Sequence, residues 1–234
     1  MELAAEIRPT GALGIRLIRS VERPPTQWPE PSLRAVVAHG LPQRGLSDEV
    51  NAWRTRNMVN LWRGVRRAGV AHKLGFPTHY GALWLTLLRG NGETVDYGLA
   101  SLRVMTDTGV GFIVDAFQNL VELENMKFHG FGTGAAAEAV GNTALGTEMT
   151  TQYATDSTRP TGTTTETSAN IYRTVATFSP DSGGTIAITE HGVFSQAATG
   201  GGVLFDRSVF SAINVVAASD SIQSTYDATF TSGG

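Results

Sequence analysis

The spacing of apolar residues divides the chain into a helical stretch and a longer part made of short strands. After Ser47, apolar side chains recur at steps of mostly three or four residues as far as Ala68-Gly69. These positions are Val50, Trp53, Met58, Leu61, Trp62 and Val65. Ser47 is a favourable N-cap, and Asp48 and Glu49 place negative charge at the positive end of a helix. The pattern therefore predicts an amphipathic helix that begins near Ser47.

From about residue 80 onward, short apolar runs alternate with turns rich in glycine and other small residues. The first two runs are joined by Gly90-Asn91-Gly92, and Asn-Gly tolerates the positive φ angles of a tight hairpin. Later runs cover 171–179, 185–189, 202–210 and 220–230. Such spacing is typical of antiparallel sandwiches and barrels. The predicted fold is mainly β (α+β), with an antiparallel β-sandwich or barrel-like C-terminal domain.

Three further segments complete the predicted elements. Residues 109–118 are apolar with helical spacing, which predicts a short buried helix. Residues 126–129 read as a short strand that ends in glycines. Between Gly141 and Asn170 threonine is abundant. Because threonine is stiff at χ1 and favours extended backbone, this last segment is predicted to be an edge strand or a long surface loop.

Six of the nine prolines lie within residues 1–46. Each proline fixes its own φ and pushes the preceding residue out of the α region, which excludes a regular helix or a central strand. This segment is predicted to be an extended arm held by packing against a partner. The predicted organisation is an arm over 1–46, a basic amphipathic helix with a linker over 47–79, and a β-rich domain over 80–234.

The two signs of charge are separated along the chain. Residues 1–90 carry 12 Arg and 1 Lys against 6 acidic residues, a net charge of +7, whereas residues 91–234 carry 5 basic and 15 acidic residues, a net charge of −10. The asymmetry predicts a basic arm or helix facing an acidic partner, nucleic acid or the acidic body of a neighbouring copy; a solvated charged helix is the alternative. Tryptophan and arginine often anchor interfaces. The residues predicted to bind a partner are Trp53, Arg54, Trp62, Arg63, Arg66 and Arg67.

Three motifs superficially resemble chemical sites. Residues 130–134 follow a predicted strand, as in a dinucleotide-binding turn, but no second parallel strand with an acidic end follows them. Asp181-Ser182-Gly183-Gly184 is similar to the nucleophile segment of chymotrypsin-like proteases, yet Pro180 precedes it and no histidine lies in a fitting segment upstream. Glu190-His191-Gly192 lies beside a strand end and has the composition to titrate near neutral pH. All three are predicted to be turns.

The composition argues against several functional classes. The chain has no cysteine, which excludes disulfides, thiolate zinc sites and a cysteine nucleophile. The five histidines do not have metal-site spacing. Glu2 and Glu6 interrupt the first 20 residues, so no export signal is indicated, and no run approaches the roughly 20 apolar residues of a membrane span. We therefore expect no catalytic residues, cofactor, metal or membrane, and synthesis in the cytoplasm.

Five short motifs follow one another in the second part of the chain. They are FHGFGTG at 128–134, TALGTE at 143–148, IYRTVATF at 171–178, ITEHGVF at 188–194 and GGGVLFDRSVF at 200–210. Together with DYGL at 96–99 and GFIVDAFQN at 111–119, they resemble virion proteins of tailed bacteriophages, and their order is also similar to N-terminal modules of phage tail-collar fibres. The resemblance implies a β-rich building block without catalytic residues, on a head or a tail. It does not cover residues 1–90.

The sequence thus predicts a structural virion protein assembled in the host cytoplasm. The first hypothesis is a capsid decoration (cement) or attachment protein. In it the arm and the helix dock on an acidic surface of the major capsid, tail or neck protein, and the β domain forms a homo-oligomer such as a trimer. The second is a tail-fibre, collar or receptor-binding module with binding tips near 130–134 and 198–202. The third is a nucleic-acid-binding protein that uses the basic helix, which the acidic C-terminal body disfavours.

Overall fold

Most of the chain after residue 38 folds into two antiparallel β-sheets with helices packed against their edges. This computed structural model describes residues 4–7, 13–16, 38–73, 78–103 and 105–231, with the backbone alone for 4–7, 13–16, 67–73 and residue 78. The strands are β1 (Ala4–Ile7), β2 (Leu13–Arg16), β3 (Thr78–Leu88), β4 (Thr94–Arg103), β5 (Phe128–Gly132), β6 (Thr163–Ser168), β7 (Ile171–Phe178), β8 (Thr185–Phe194), β9 (Leu204–Val216) and β10 (Ser221–Thr231). The helices are α1 (Asp48–Lys73), α2 (Asp107–Phe117) and a 3-10 turn (Leu123–Asn125).

The strand order explains how one core forms between the sheets. A five-stranded sheet has the order β4-β3-β10-β7-β6, and a three-stranded sheet has the order β5-β8-β9. Successive side chains of a strand point to opposite faces. The alternation of residues in β10 predicts one shared face, and of its members Ile222, Ser224, Tyr226 and Ala228 are buried, whereas Phe230 at the end of the strand is 42% exposed. Across the core, the rings of Phe131 and Phe178 stack with centroids 5.0 Å apart. The mainly β prediction is confirmed.

Two of the turns predicted from glycine chemistry occur where expected, whereas residues 130–132, predicted to be part of a turn, lie in strand β5. Strands β3 and β4 form the predicted hairpin, in which Gly92 has a φ of 85° and its N–H donates to the carbonyl of Arg89. Gly183 and Gly184 also have positive φ in the turn between β7 and β8. The threonine-rich segment supplies β6, an edge strand of the five-stranded sheet, and the long loop before it. These features confirm the predicted hairpin, the predicted turn before β8 and the prediction of an edge strand or loop for the threonine-rich segment.

Helix α1 packs along β4 and β9, which are edge strands of different sheets. The fully buried amide of Asn57 links them, since its Nδ2 donates to the carbonyl of Ala100 at 2.8 Å and its Oδ1 accepts from the N–H of Ser211 at 2.9 Å. Sheet edges otherwise leave backbone groups without partners. Val50 of α1 belongs to the same apolar cluster as Leu85 of β3. The helix is therefore packed into the core of the β-rich part.

The predicted arm over 1–46 lies largely outside the described residues. Within it the structure describes strands β1 and β2, which form an antiparallel ribbon that pairs Ala4 with Arg16 and Ile7 with Leu13. Residues 38–46 are also described and lead into α1, where the N–H of Gln43 donates to Oδ1 of Asn51 at 2.8 Å. The two-stranded ribbon is extended backbone, as the prolines favour, whereas residues 38–40 are helical, which differs from the predicted arm.

Candidate interaction surfaces

Two of the residues predicted to bind a partner are buried in the body of the protein, which corrects that prediction for Trp53 and Arg54. The Trp53 side chain is 1% exposed, its Nε1 donates to the carbonyl of Ser211 at 2.7 Å, and its ring lies 5.0 Å from that of Tyr97. Arg54 is also buried, and its Nη1 donates to the carbonyl of Ala38. Both side chains face the strands because their spacing places them on the core side of α1.

The other predicted residues lie on or near the outer side of α1. Trp62 is 42% exposed and Arg66 is exposed, while Arg63 is half-buried and forms an ion pair with Glu138 at 3.5 Å. Arg67 lies in α1, but its side chain is outside the described residues. Two exposed residues that the prediction did not include continue the same stripe one and two turns earlier. We define the α1 surface as Arg56, Val59, Trp62 and Arg66.

The two tryptophans of α1 are expected to respond differently to the same substitution. Trp53→Phe removes the indole hydrogen bond and leaves space in the core, so it should lower the free energy of unfolding by about 1–2 kcal/mol. Trp62→Phe changes an exposed ring and should lower it by less than about 0.5 kcal/mol. Urea unfolding followed by circular dichroism measures both. An equal cost for the two variants would contradict the buried placement of Trp53.

Helix α2 is a surface helix, so the predicted buried helix is wrong in its burial, although the helix itself is confirmed. It begins after Thr106, whose Oγ1 accepts from the N–H of Gly109 at 3.0 Å. Only Gly109 and Phe112 are buried among its residues, whereas the Phe117 side chain is 85% exposed. Most residues of the helix are apolar, including the exposed Val114 and Phe117, so spacing alone did not reveal that one side of the helix faces solvent.

The outward apolar residues of α2 continue into the turn that follows it. Leu120 and Leu123 are 68% and 52% exposed, and Val114 is exposed as well. Acidic residues accompany them on the same stretch of chain. We define the α2 surface as the apolar residues Val114, Phe117, Leu120 and Leu123 with the exposed acids Asp115, Glu122 and Glu124. Contiguous exposed apolar residues with a polar rim often mark protein interaction sites.

An apolar groove of about 440 Å³ opens beside the α2 surface, between the helix and the end of β10. Phe117 and Leu123 form its outer wall, and Phe205 and Phe230 lie across from them. A second groove of about 460 Å³ runs along the ends of β6 and β7 and shares Tyr172 and Phe230 with the first. The first groove is large enough for a bulky side chain from a partner.

The glycines of residues 130–134 make room for the buried side chain of Glu190. A Cβ at Gly132 or Gly134 would lie 2.5 Å or 2.4 Å from Oε1 of Glu190. This oxygen accepts from the N–H groups of Gly134 and Thr147, and Oε2 accepts from the N–H of Gly146 and from the guanidinium of Arg207. One carboxylate thus accepts hydrogen bonds from all these donors. The glycine-rich segment leaves space for this carboxylate, and its role is to hold loops together within the fold.

Glu190, His191 and Gly192 lie inside strand β8, so the predicted turn is wrong. The segment pairs with β5 on one side and with β9 on the other. Glycine at position 192 packs closely against Leu204 and Phe194, which no larger residue would allow. His191 points between the sheets, where its Nε2 lies 2.9 Å from Nδ1 of His129. Burial lowers the pKa of His129 to about 3 and that of His191 well below its usual value.

The two loops considered as binding tips are anchored from the inside. Residues 130–132 are buried in β5. The guanidinium of Arg159 donates to the carbonyls of Gln196, Ala198 and Gly201 at 2.8–2.9 Å, pairs with Glu148, and lies 3.5 Å from the ring centre of Phe194. The described side chains therefore favour a structural role for these loops over the role of an adaptable tip.

Comparisons with protein-family models and with curated proteins give no significant match for this chain. Among the described residues, no helix is long and apolar enough to cross a membrane. The same part of the chain contains no group of three or more side chains placed to hold a metal ion. The α1 and α2 surfaces are therefore the candidate functional features of the described residues.

Proposed function

We propose that the protein is a non-enzymatic structural component of a tailed-phage virion, a capsid decoration (cement) or attachment protein. In this role it is assembled in the host cytoplasm, its N-terminal arm attaches it to the major capsid, tail or neck protein, and its β-rich body packs against neighbouring subunits. The resemblance carried by residues 128–134, 143–148, 171–178, 188–194 and 200–210 motivates the virion. The tail-fibre, collar or receptor-binding role is the alternative position on the particle.

The observation that carries the proposal is the exposed apolar surface on α2 and the turn after it. Phe117, Leu120 and Leu123 are each more than half exposed. Exposing such residues together favours association, because each gains roughly 25 cal/mol per Å² of apolar surface removed from water. A protein that packs against other subunits would bury this surface and so gain binding free energy.

The state of the buried titratable residues supports a structural role over a catalytic one. Glu190 is fully buried and its two oxygens accept five hydrogen bonds, three of them from backbone N–H groups. His129 is fully buried as well and contacts Ser224 and Thr174. General acids and bases must reach the proton that they transfer, and these side chains face the interior of the fold.

The arrangement of α1 disfavours the nucleic-acid alternative. Arg54 is buried, and Arg63 forms an ion pair with Glu138. The exposed arginines of the α1 surface, Arg56 and Arg66, stand beside the apolar residues Val59 and Trp62. Non-specific nucleic-acid binding relies on many phosphate contacts, whereas a mixed arginine and tryptophan surface is typical of a protein interface.

Purified particles of the source phage provide the test. A single cysteine introduced by Ala136→Cys, at an exposed position, would be the only thiol in the chain and would accept a maleimide-linked gold label. The labelled variant is added to particles that lack the protein because of an amber mutation in its gene. We expect label at regularly spaced positions on the particle, and electron microscopy distinguishes a head location from a tail location.

The natural chain, which has no cysteine, is the matched control and should bind the particle without taking the label. Restored resistance of the head to heat would support the decoration role, and restored adsorption to host cells would support the fibre role. Particles that neither contain the protein after gradient purification nor take up the added variant would overturn the proposal.

A further inference from the structure

We infer that a second copy of this chain docks its α1 surface on the α2 surface of the first. Both surfaces combine exposed apolar side chains with charge, and their charges have opposite sign. Among the described residues, nothing covers either surface in the single chain, because Val59 and Trp62 on one and Phe117 and Leu120 on the other are all more than 40% exposed. The inference goes beyond the proposed function because it concerns contacts between copies and not the attachment to a particle.

The α1 surface has the shape and composition of an inserted ridge. Its members are three or four residues apart, so they lie along one side of the helix. Val59 and Trp62 stand at its centre, and Arg56 and Arg66 flank them by one turn on either side. Central aromatic residues in a ring of charged or polar ones are the arrangement that most often contributes binding free energy.

The α2 surface offers a matching recess. The groove of about 440 Å³ beside it is lined almost entirely by apolar side chains, including Ile113, Phe117 and Met126. Glu124 stands at its rim, and Asp115 and Glu122 are exposed nearby in the chain. The indole of Trp62 from a second copy fits the chemistry of the groove, and Arg56 and Arg66 would then face these carboxylates.

Charge also disfavours the symmetric alternatives. Two α2 surfaces brought together would oppose three carboxylates to three carboxylates, and two α1 surfaces would oppose arginines to arginines. Juxtaposed like charges weaken an interface, whereas complementary ones fix its register. The contact is therefore head-to-tail. In a pair of copies, one keeps its α2 surface unused and the other keeps its α1 surface unused, so the assembly closes into a ring or continues as a chain.

This contact assigns a partner to the α1 surface and leaves the N-terminal arm for attachment to a particle. It does not need the virion proposal, because it acts between purified copies in solution. A protein that associates with itself but is absent from particles would refute the proposed function alone. A protein that binds particles but remains monomeric in solution and fails the mixing test below would refute the head-to-tail contact alone.

The test mixes two variants of the full chain. The first, Val59→Ser/Trp62→Ser, loses the apolar centre of the α1 surface, and the second, Phe117→Ser/Leu120→Ser, loses that of the α2 surface. Sedimentation velocity of the natural chain should show association that strengthens with concentration and weakens from low to high salt, because exposed charges are screened. Each variant alone should be at least about 10-fold weaker in self-association.

A mixture of the two variants separates a contact between an α1 and an α2 surface from contacts between two α1 or two α2 surfaces. Each partner then supplies the intact surface that the other lacks, so the mixture should form 1:1 dimers and nothing larger. The control Val216→Ser, at an exposed position on β9 outside both surfaces, should associate like the natural chain. Circular dichroism confirms that all variants are folded. A natural chain that stays monomeric at about 0.1 mM, or a mixture that stays monomeric, overturns the inference.

Discussion

The Glu190→Gln variant is expected to lose about 3–5 kcal/mol of the free energy of unfolding, although it changes only one carboxylate oxygen to an amide nitrogen. Both oxygens of Glu190 face donors, since Oε1 accepts from Gly134 and Thr147 and Oε2 accepts from Gly146 and Arg207. An amide NH₂ group in either position meets N–H groups that it cannot pair with. Arg207, which is 3% exposed, also loses its counter-ion.

The cost arises from charge and from loops together. Removing one member of a buried ion pair leaves the other charge without compensation in a medium of low dielectric constant. The loop residues Gly146 and Thr147, which bond to Glu190, lie far from it in the sequence. Loss of the carboxylate therefore also leaves buried donors unsatisfied, at roughly 1–3 kcal/mol for each group that water does not reach.

Urea unfolding of three variants separates these contributions. Glu166→Gln, on the exposed edge strand β6, is the matched control and should change the free energy of unfolding by less than about 0.5 kcal/mol. The double variant Glu190→Gln/Arg207→Met keeps the amide oxygen as an acceptor and also removes the unpaired charge of Arg207, so it should be more stable than Glu190→Gln alone. If Glu190→Gln unfolded like the natural chain, Glu190 would not be the buried hydrogen-bond centre described above.

Much of the fold could be predicted because its signals are local. Gly92 needs a positive φ at the β3–β4 hairpin, and the alternation from Ile222 to Ala228 marks the inner face of β10. The helix at Ser47 also follows from capping and spacing. Each of these depends on residues a few positions apart, which sequence patterns record directly.

The errors come from contacts between residues far apart in the sequence. Glu190-His191-Gly192 looks like a turn because it combines charge with glycine, but its charges are paired by Arg207 and by loops around residues 134 and 146. A pattern of neighbouring residues cannot show such partners. The clustering of glycines at 130–134 was the available signal, because closely spaced glycines indicate close approach of another group.

The candidate surfaces were predictable in part. The sequence identified α1 as an amphipathic helix with Trp53 and Trp62 in its apolar pattern and with arginines predicted to bind a partner, and Trp62 and Arg66 do lie on the exposed side. It grouped Trp53 with Trp62, although three-and-four spacing within one helix cannot decide which of two apolar stripes faces the sheets. The α2 surface was missed because a short, mostly apolar helix is usually buried.

Acid is expected to unfold the protein steeply, with the free energy of unfolding falling by about 4 kcal/mol per pH unit below pH 6. Burial lowers the pKa of His79 and of His129 from 6.5 to about 3, and burial and then the neighbouring His129 lower that of His191. These three histidines are neutral in the folded state and take up protons at about pH 6.5 once unfolded. Their contribution to stability is present above pH 6.5 and is lost as the pH falls.

Asp206 acts in the opposite direction and reduces the slope. Burial raises the pKa of its carboxyl from 3.8 to about 7, although Arg103 and hydrogen bonds from Ser208 and Tyr226 lower it in part. Between about pH 7 and pH 3.8 the carboxyl of Asp206 is therefore protonated in the folded state and ionised in the unfolded chain. Burial and then Arg54 also lower the pKa of His39 from 6.5 to about 4, which adds a fourth proton gained on unfolding. Four protons gained minus the one on Asp206 leave a net uptake of three, and each contributes about 1.4 kcal/mol per pH unit.

Substitution of His79 tests whether buried neutral histidines cause the acid sensitivity, without removing a hydrogen bond. Among the described residues neither of its buried ring nitrogens has a hydrogen-bond partner, and the ring packs 5.3 Å from Phe205 and 4.9 Å from Phe230. His79→Phe should therefore raise the free energy of unfolding at pH 8 and reduce its slope below pH 6 by about 1.4 kcal/mol per pH unit.

Urea unfolding at several pH values from 5 to 8 measures both effects. The comparison variant His129→Phe should reduce the slope equally but lower the stability at pH 8, because His129 contacts His191, Ser224 and Thr174 through its ring nitrogens. Equal slopes for His79→Phe and the natural chain would show that His79 titrates in the folded state, and the acid sensitivity would then have to come from His39, His129 and His191.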